Sequence, residues 1–301
     1  MQDSTVNNID NNFETRTWMA ATPAINMLSI SELTLPGTHN AGSDWLASYP
    51  FYVPRYYVAC QHASFYSQLL NGARALDLRL IYDAKAEGAR QFQAHHGGVR
   101  SSRTLHDLII DIESFLQLCP DEFIVLDFHE LDGNNFDYEQ FNKTMIQLLG
   151  HRLIPSKNLP LSLHQLKQAS SQQRVFAAAK SHWQLDYHVF NNYISHKWSG
   201  IDRTDPDELK QFIERVMQVP PGSWAPWSLS ATSYTARRGP ARISQELNAW
   251  FDPAKSDWAM KCNIINVDFI KDSRIVSYCR TVNLEKARRK VVRTTEQSMV
   301  A

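Results

Sequence analysis

Residues 122–129, Glu-Phe-Ile-Val-Leu-Asp-Phe-His, are apolar through their middle and follow an amphipathic run from Leu105 to Leu118 that Pro120 stops. A short apolar strand reached through a helix is what a buried parallel sheet requires. The same alternation continues along the chain. Helical stretches are expected at 138–149 and 206–217, with others starting near Arg242 and Ser273. Strands are expected at 28–33, 73–80, 92–98, 174–180, 224–232 and 262–270. Seven or eight such β units point to an α/β fold, a single distorted TIM-like (β/α) barrel that is irregular or open. A doubly wound sheet is the alternative, but the chain has neither a GxGxxG turn nor a Walker loop.

The 301 residues carry 31 basic and 31 acidic side chains, so formal charge balances. That balance argues against a nucleic-acid partner. Cys60, Cys119, Cys262 and Cys279 form no CxxC pair and read as buried thiols. The first dozen residues lack the plan of a signal peptide, and no apolar run reaches transmembrane length. The chain is therefore expected to be soluble, cytoplasmic or exported by a signal not visible in it. With no linker in view, one barrel is expected over residues 23–284, after a polar segment (1–22) and before a basic, then polar, tail (285–301).

Polar groups gather where the predicted strands end. Leu35-Pro36-Gly37-Thr38-His39-Asn40 breaks after an alternating segment and presents a histidine. Asp77 and Arg79 lie two apart on a strand and share a face. The strand at 92–98 ends in His95-His96-Gly97-Gly98, and the one at 262–270 carries Asp268. Two histidines, an arginine and an acid suit acid–base chemistry on a phosphodiester, which needs a base, an acid and positive charge on the phosphoryl oxygens.

Taken in order, Leu-Pro-Gly-Thr-His (35–39), Gly-Ala-Arg-Ala-Leu-Asp-Leu-Arg (72–79), His-His-Gly (95–97) and the later strand with Asp268 resemble the catalytic X region of phosphatidylinositol-specific phospholipase C, in particular its bacterial-type and small X-domain-only members. The resemblance implies cleavage of the glycerol–phosphate bond by the inositol 2-hydroxyl, giving diacylglycerol and a cyclic inositol phosphate. It implies His39 as general base, His96 rather than His95 as general acid, Asp268 as the carboxylate that orients His39, and Arg79 as the cation on the phosphate. Asn40 is read as a neutral partner of the phosphate or of Arg79. Asp77, His129, Lys180, Asp202 and Tyr234 are candidates for the head-group site, with Arg203 beside them.

Arg79 and His129 fall where calcium-dependent members place acids, which points away from a metal cofactor; Asn40 matches those members, so calcium stays the lesser alternative. Aromatic residues crowd the segment after His39, and Trp45, Tyr49, Phe51 and Tyr52 are expected nearest a membrane surface, with Arg237 and Arg238 as a basic lip. The partners implied are a phosphatidylinositol-type head group and a peripheral membrane surface; the sequence is silent on oligomeric state. Competing readings are a metal-dependent glycerophosphodiesterase or sphingomyelinase-D-like enzyme, and a barrel that binds phosphoinositide without cutting it.

Overall fold

A computed structural model describes residues 13–132, 135–200, 204–235 and 239–300, the last four by backbone alone. The strands are β1 (Leu35–Thr38), β2 (Ala75–Tyr82), β3 (Phe92–His96), β4 (Val99–Thr104), β5 (Ile124–Asp132), β6 (Val175–Ala179), β7 (Phe190–Asn192), β8 (Ser195–Lys197), β9 (Trp227–Ser230), β10 (Tyr234–Thr235), β11 (Gly239–Pro240) and β12 (Ile264–Val267). Eight form one parallel sheet in the order β7-β6-β5-β2-β1-β12-β9-β8. The sheet curls, and no ladder joins β7 to β8 among the described residues. The expected irregular, open barrel is the fold observed.

Period-two alternation sets the layers. Leu76, Leu78 and Leu80 of β2, with Leu126 and Phe128 of β5, turn outward onto a core shared with Phe115 and Phe141 of the covering helices. Asp77, Arg79, Asp127 and His129 alternate with them and face the lumen. The helix Leu105–Leu118 opens on a capping box in which the Thr104 side chain accepts from the Asp107 N–H and the Asp107 carboxylate accepts from the Thr104 N–H. Lower in the barrel, Leu35, Ala75, Val125, Phe176 and Trp227 belong to the second apolar cluster.

A buried ion pair ties the N-terminal segment to the sheet. The Arg74 Nε donates to Glu122 at 2.7 Å, and the Glu122 carboxylate also accepts from the N–H groups of Met19 and Ala20. Both side chains are fully buried, so losing either partner would strand a charge at a cost of about 3–5 kcal/mol.

Three features depart from the sequence reading. Residues 28–33 are a turn that follows a short 3-10 helix (Pro23–Met27), and the strand starts only at Leu35. Glu32 accepts from the Ser29 N–H at 2.8 Å, while Glu32 and Leu33 donate to the Ser29 carbonyl, so local bonds outcompete a ladder. The strand bearing His95 and His96 is not a barrel strand: β3 runs antiparallel to β2 and forms a hairpin with β4. Strands β7 and β8 were not foreseen. The tail from residue 285 extends the last helix, Ile275–Val300, as its sequence allows.

Candidate active site

His39 is the first residue beyond β1, and Asp268 the first beyond β12. The parallel register pairs Thr38 with Val267, which brings the two side chains to one level. His39 Nδ1 lies 2.8 Å from Asp268 Oδ1. A carboxylate only accepts, so Nδ1 carries the proton and Nε2 keeps its lone pair for the lumen. Gln61 holds the crossing by donating to the carbonyls of both His39 and Val267. At this crossing Gly37 is obligatory: a Cβ there would sit 2.2 Å from Asn266 Oδ1.

His96 meets His39 across the opening, ring centroids 6.1 Å apart and nearly perpendicular. Its Nδ1 is 2.8 Å from the Val58 carbonyl, so it too donates there and leaves Nε2 on the other side. Burial, together with the charges of His39 and Arg79, lowers the His96 pKa to about 4. His95 takes the opposite face of β3. Its Nδ1 accepts from the Gly98 N–H, so Nε2 carries the proton, toward the carboxylates of Glu130 and Asp132 at 3.8 and 3.9 Å. The two adjacent histidines are thus separated by strand alternation, and His96 is the one facing His39.

Arg79 is gripped from two sides. Its Nε and Nη2 donate to the two oxygens of Asp77 at 3.3 and 3.1 Å, and Nη1 donates to Glu130 at 3.1 Å. Burial works against charge on Asp77, but Arg79, aided by His129 and His39, holds its carboxyl well below the usual range. Asn40 sits at φ 46°, the left-handed region that a non-glycine residue occupies only at a cost. That bend delivers its backbone N–H to Asp77 at 3.1 Å, while its side-chain oxygen accepts from Ser43. Arg79 is therefore not the partner of the Asn40 side chain. The Asn40 Nδ2 is buried and has no hydrogen-bond partner among the described residues.

Sequence reasoning missed Glu130, Asp127 and His196. The register of β2 on β5 slips between Leu78 and Arg79, so that Arg79 faces Glu130 rather than His129. This bulge gives two consecutive residues access to the site, which strict alternation forbids. Asp127 lies level with Asp77 and accepts from His196 Nε2 at 2.5 Å, across the gap between β5 and β8. Burial opposes charge on His196, yet the Asp127 carboxylate raises its pKa overall. The His129 ring stacks on His196 at 3.8 Å, and burial with the neighbouring cations drops its pKa to about 4. An acid inside an otherwise apolar strand was a usable signal for Asp127, because a buried carboxylate needs a partner. His196, in a three-residue strand, offered no periodic signal.

Other expected residues are scattered more widely. Tyr234 stands 6.3 Å from the His96 ring, and its hydroxyl donates to the Tyr57 carbonyl. Lys180 is exposed just past β6. Asp202, Arg203, Arg237 and Arg238 lie outside the described residues. Trp45, Phe51 and Tyr52 are exposed, whereas Tyr49 is half-buried and donates its hydroxyl to the Asp44 carbonyl.

The donor sets bear on a metal. Asp77 and Glu130, the acids closest to Arg79, are both engaged by its guanidinium. These residues do not fit calcium, which needs six or more oxygen ligands. His39 with Cys60 and Asp268, Asp127 with His129 and His196, and His95 with Glu130 and Asp132 each bring possible ligand atoms within 4.8 Å. Their nitrogen and sulfur donors would suit a transition metal. In the first two sets a His–Asp hydrogen bond already uses one ligand atom of each, and in the third the proton on His95 Nε2 blocks that lone pair.

No family model matches the chain. Over 301 aligned positions it is 24% identical to PI-PLC X domain-containing protein 2 of Mus musculus, covering 88% of this chain and 86% of that protein. Phosphatidylinositol-specific phospholipase C from Listeria monocytogenes superposes with a TM-score of 0.66 at 16% identity, covering 90% of this chain and 99% of that one. A mutant of the Staphylococcus aureus enzyme of the same name gives 0.63 at 15% identity, covering 89% and 98%. The open barrel has the fold of these phosphatidylinositol-specific phospholipase C structures.

Proposed function

We propose that the chain is a phosphatidylinositol phosphodiesterase working by internal attack. The observation that carries this reading is the pair His39 and His96, each with Nδ1 committed to an acceptor and Nε2 left for the space between them, beside the buried Arg79. An alcohol attacking a neighbouring phosphodiester needs this set. His39 Nε2 takes the proton of the inositol 2-hydroxyl as its oxygen bonds to phosphorus. The bond from phosphorus to the glycerol oxygen breaks, and that oxygen receives a proton from His96 Nε2. Arg79, always charged, neutralises the phosphoryl oxygens. The low His96 pKa leaves its Nε2 unprotonated in the free protein, so the acid role requires that a bound phosphodiester anion raise that pKa and that Nε2 take a proton from solvent before it gives one to the glycerol oxygen.

The reading includes metal independence, since Arg79 stands in for the ion, and a head-group pocket lined by Asp77 and His129. Asn40 Nδ2 offers a buried donor to a substrate oxygen. Trp45, Phe51 and Tyr52 would meet the lipid surface. The test is hydrolysis of phosphatidylinositol in mixed micelles, with chelator and with added calcium, followed by phosphorus NMR. Cyclic inositol phosphate formed in chelator is the expected result. Turnover only with calcium would overturn the role given to Arg79, and no turnover in either condition would leave a binding barrel.

A further inference from the structure

Arg79 meets more negative charge than its own positive charge balances. Asp77 accepts from Nε and Nη2, and Glu130 accepts from Nη1. Two carboxylates on one guanidinium leave the group net negative, which opposes binding of a phosphodiester anion. One carboxylate has to withdraw before Arg79 can neutralise a phosphate.

Asp77 is fixed. Its side chain is fully buried, and it accepts from the Asn40 N–H as well as from two guanidinium nitrogens. Glu130 is held by a single guanidinium nitrogen, its side chain is 31% exposed, and it stands just past the register slip of β2 on β5.

An unpaired donor lies on the other side of Glu130. His95 is 1% exposed, and its Nε2 has no hydrogen-bond partner among the described residues. Nδ1 accepts from the Gly98 N–H, and burial lowers the pKa of the ring, so it is neutral with the proton on Nε2. Buried donors are ordinarily paired. Glu130 Oε2 is 3.8 Å from this one, while Oε1 is the oxygen on Arg79. A move of about 1 Å would make the bond. Asp132 Oδ2 is 3.9 Å away, but its side chain is 59% exposed and well hydrated.

We propose that Glu130 is a positioning residue that masks Arg79 in the free protein and passes to His95 Nε2–H when a phosphate anion arrives. The exchange rests on the phosphodiesterase reading above and deepens it. The carboxylate stays hydrogen-bonded in both states, the His95 donor gains a partner, and Nη1 is freed for a phosphoryl oxygen. His95 thereby has a task distinct from that of its neighbour His96.

Calorimetric titration with myo-inositol 1-phosphate tests the exchange, because the sign of the effect depends on it. Glu130→Gln removes the competing charge, so its Kd should fall about tenfold below that of wild type. A Glu130 that only braced Arg79 would give weaker binding on the same change. NMR supplies a second reading without altering His95. Its Nε2–H resonance should move downfield on addition of the ligand in wild type and in Asp132→Asn, but not in E130Q. Weaker, unchanged or undetectable binding by E130Q would overturn the exchange. So would a His95 resonance that ignores the ligand, or one whose response is lost in D132N instead. Tighter binding by E130Q in a protein that cuts no phosphatidylinositol would sink the enzymatic reading and leave the exchange standing. Turnover by wild type with weaker binding by E130Q would do the reverse.

Discussion

Two histidine–aspartate pairs stand in one barrel, and they are built differently. His39 and Asp268 extend adjacent parallel strands, so an unbroken ladder sets their distance and the imidazole keeps one edge toward the opening. His196 and Asp127 belong to strands that share no ladder, and their hydrogen bond crosses the lumen from edge strand β8 to interior strand β5. The His196 ring is further covered by His129. The same two side chains thus form the pair we propose for proton transfer in one place and a cross-lumen tie between β5 and β8 in the other. What separates them is whether the second ring nitrogen reaches the substrate space, not the His–Asp contact itself.

Replacing each carboxylate by its amide is the sharpest way to break this comparison. Asp268→Asn should leave the fold intact and cut kcat by about 10²–10⁴, because an amide can donate to Nδ1 and so favours the wrong tautomer of His39. Asp127→Asn should instead cost about 3–5 kcal/mol of stability, the usual penalty for breaking a buried pair. Its kcat per folded molecule should change far less. Denaturant melts and single-turnover rates on both variants decide it, and matching losses of rate in the two would erase the distinction.

Arg79→Lys comes next, with a loss of about 10²–10³ in kcat and a smaller change in lipid binding. A lysine ammonium cannot hold Asp77 through a planar fork while also meeting the phosphate. Equal losses in rate and binding would return Arg79 to a purely structural place.

A smaller effect is the pH dependence of His196→Gln. The folded-state pKa of His196 lies above its ordinary value of 6.5. Its contribution to stability is therefore fully present below that value and is lost as pH rises through the folded pKa. The melting-temperature gap between wild type and H196Q should be widest in mild acid and narrow toward alkaline pH. A gap that widens with pH would reverse the assignment.

The subtlest expectation concerns His96. Its ring resonances should titrate near pH 4 in the free protein and at higher pH once inositol phosphate is bound, as followed by NMR. No movement on binding would mean that the phosphate does not lie against this ring.

Most of the proposed catalytic set was legible in the chain because each member stands on or just past a strand with a clear pattern. His39 follows a Pro-Gly break, Asp77 and Arg79 share one face of an alternating strand, and Asp268 ends an apolar one. Period two also separates His95 from His96, although the direction each faces needed the hairpin. Glu130 was hidden because a bulge, not the alternation, turns it to Arg79. His196 was hidden because β8 is only three residues long and has no alternation of its own; its ladder on β9 sets its place.

The sequence by itself determined the alternation of helix and strand, the two-layer division of apolar side chains, and the candidates for the acid–base groups. These follow from local periodicity and from turn residues acting over a few positions. Only the tertiary structure decided where the barrel stays open, which carboxylate each imidazole faces, and that Arg79 is held by two acids. Those outcomes depend on contacts between residues far apart in the chain, such as the 229 positions from His39 to Asp268, and no local pattern encodes a distance of that kind.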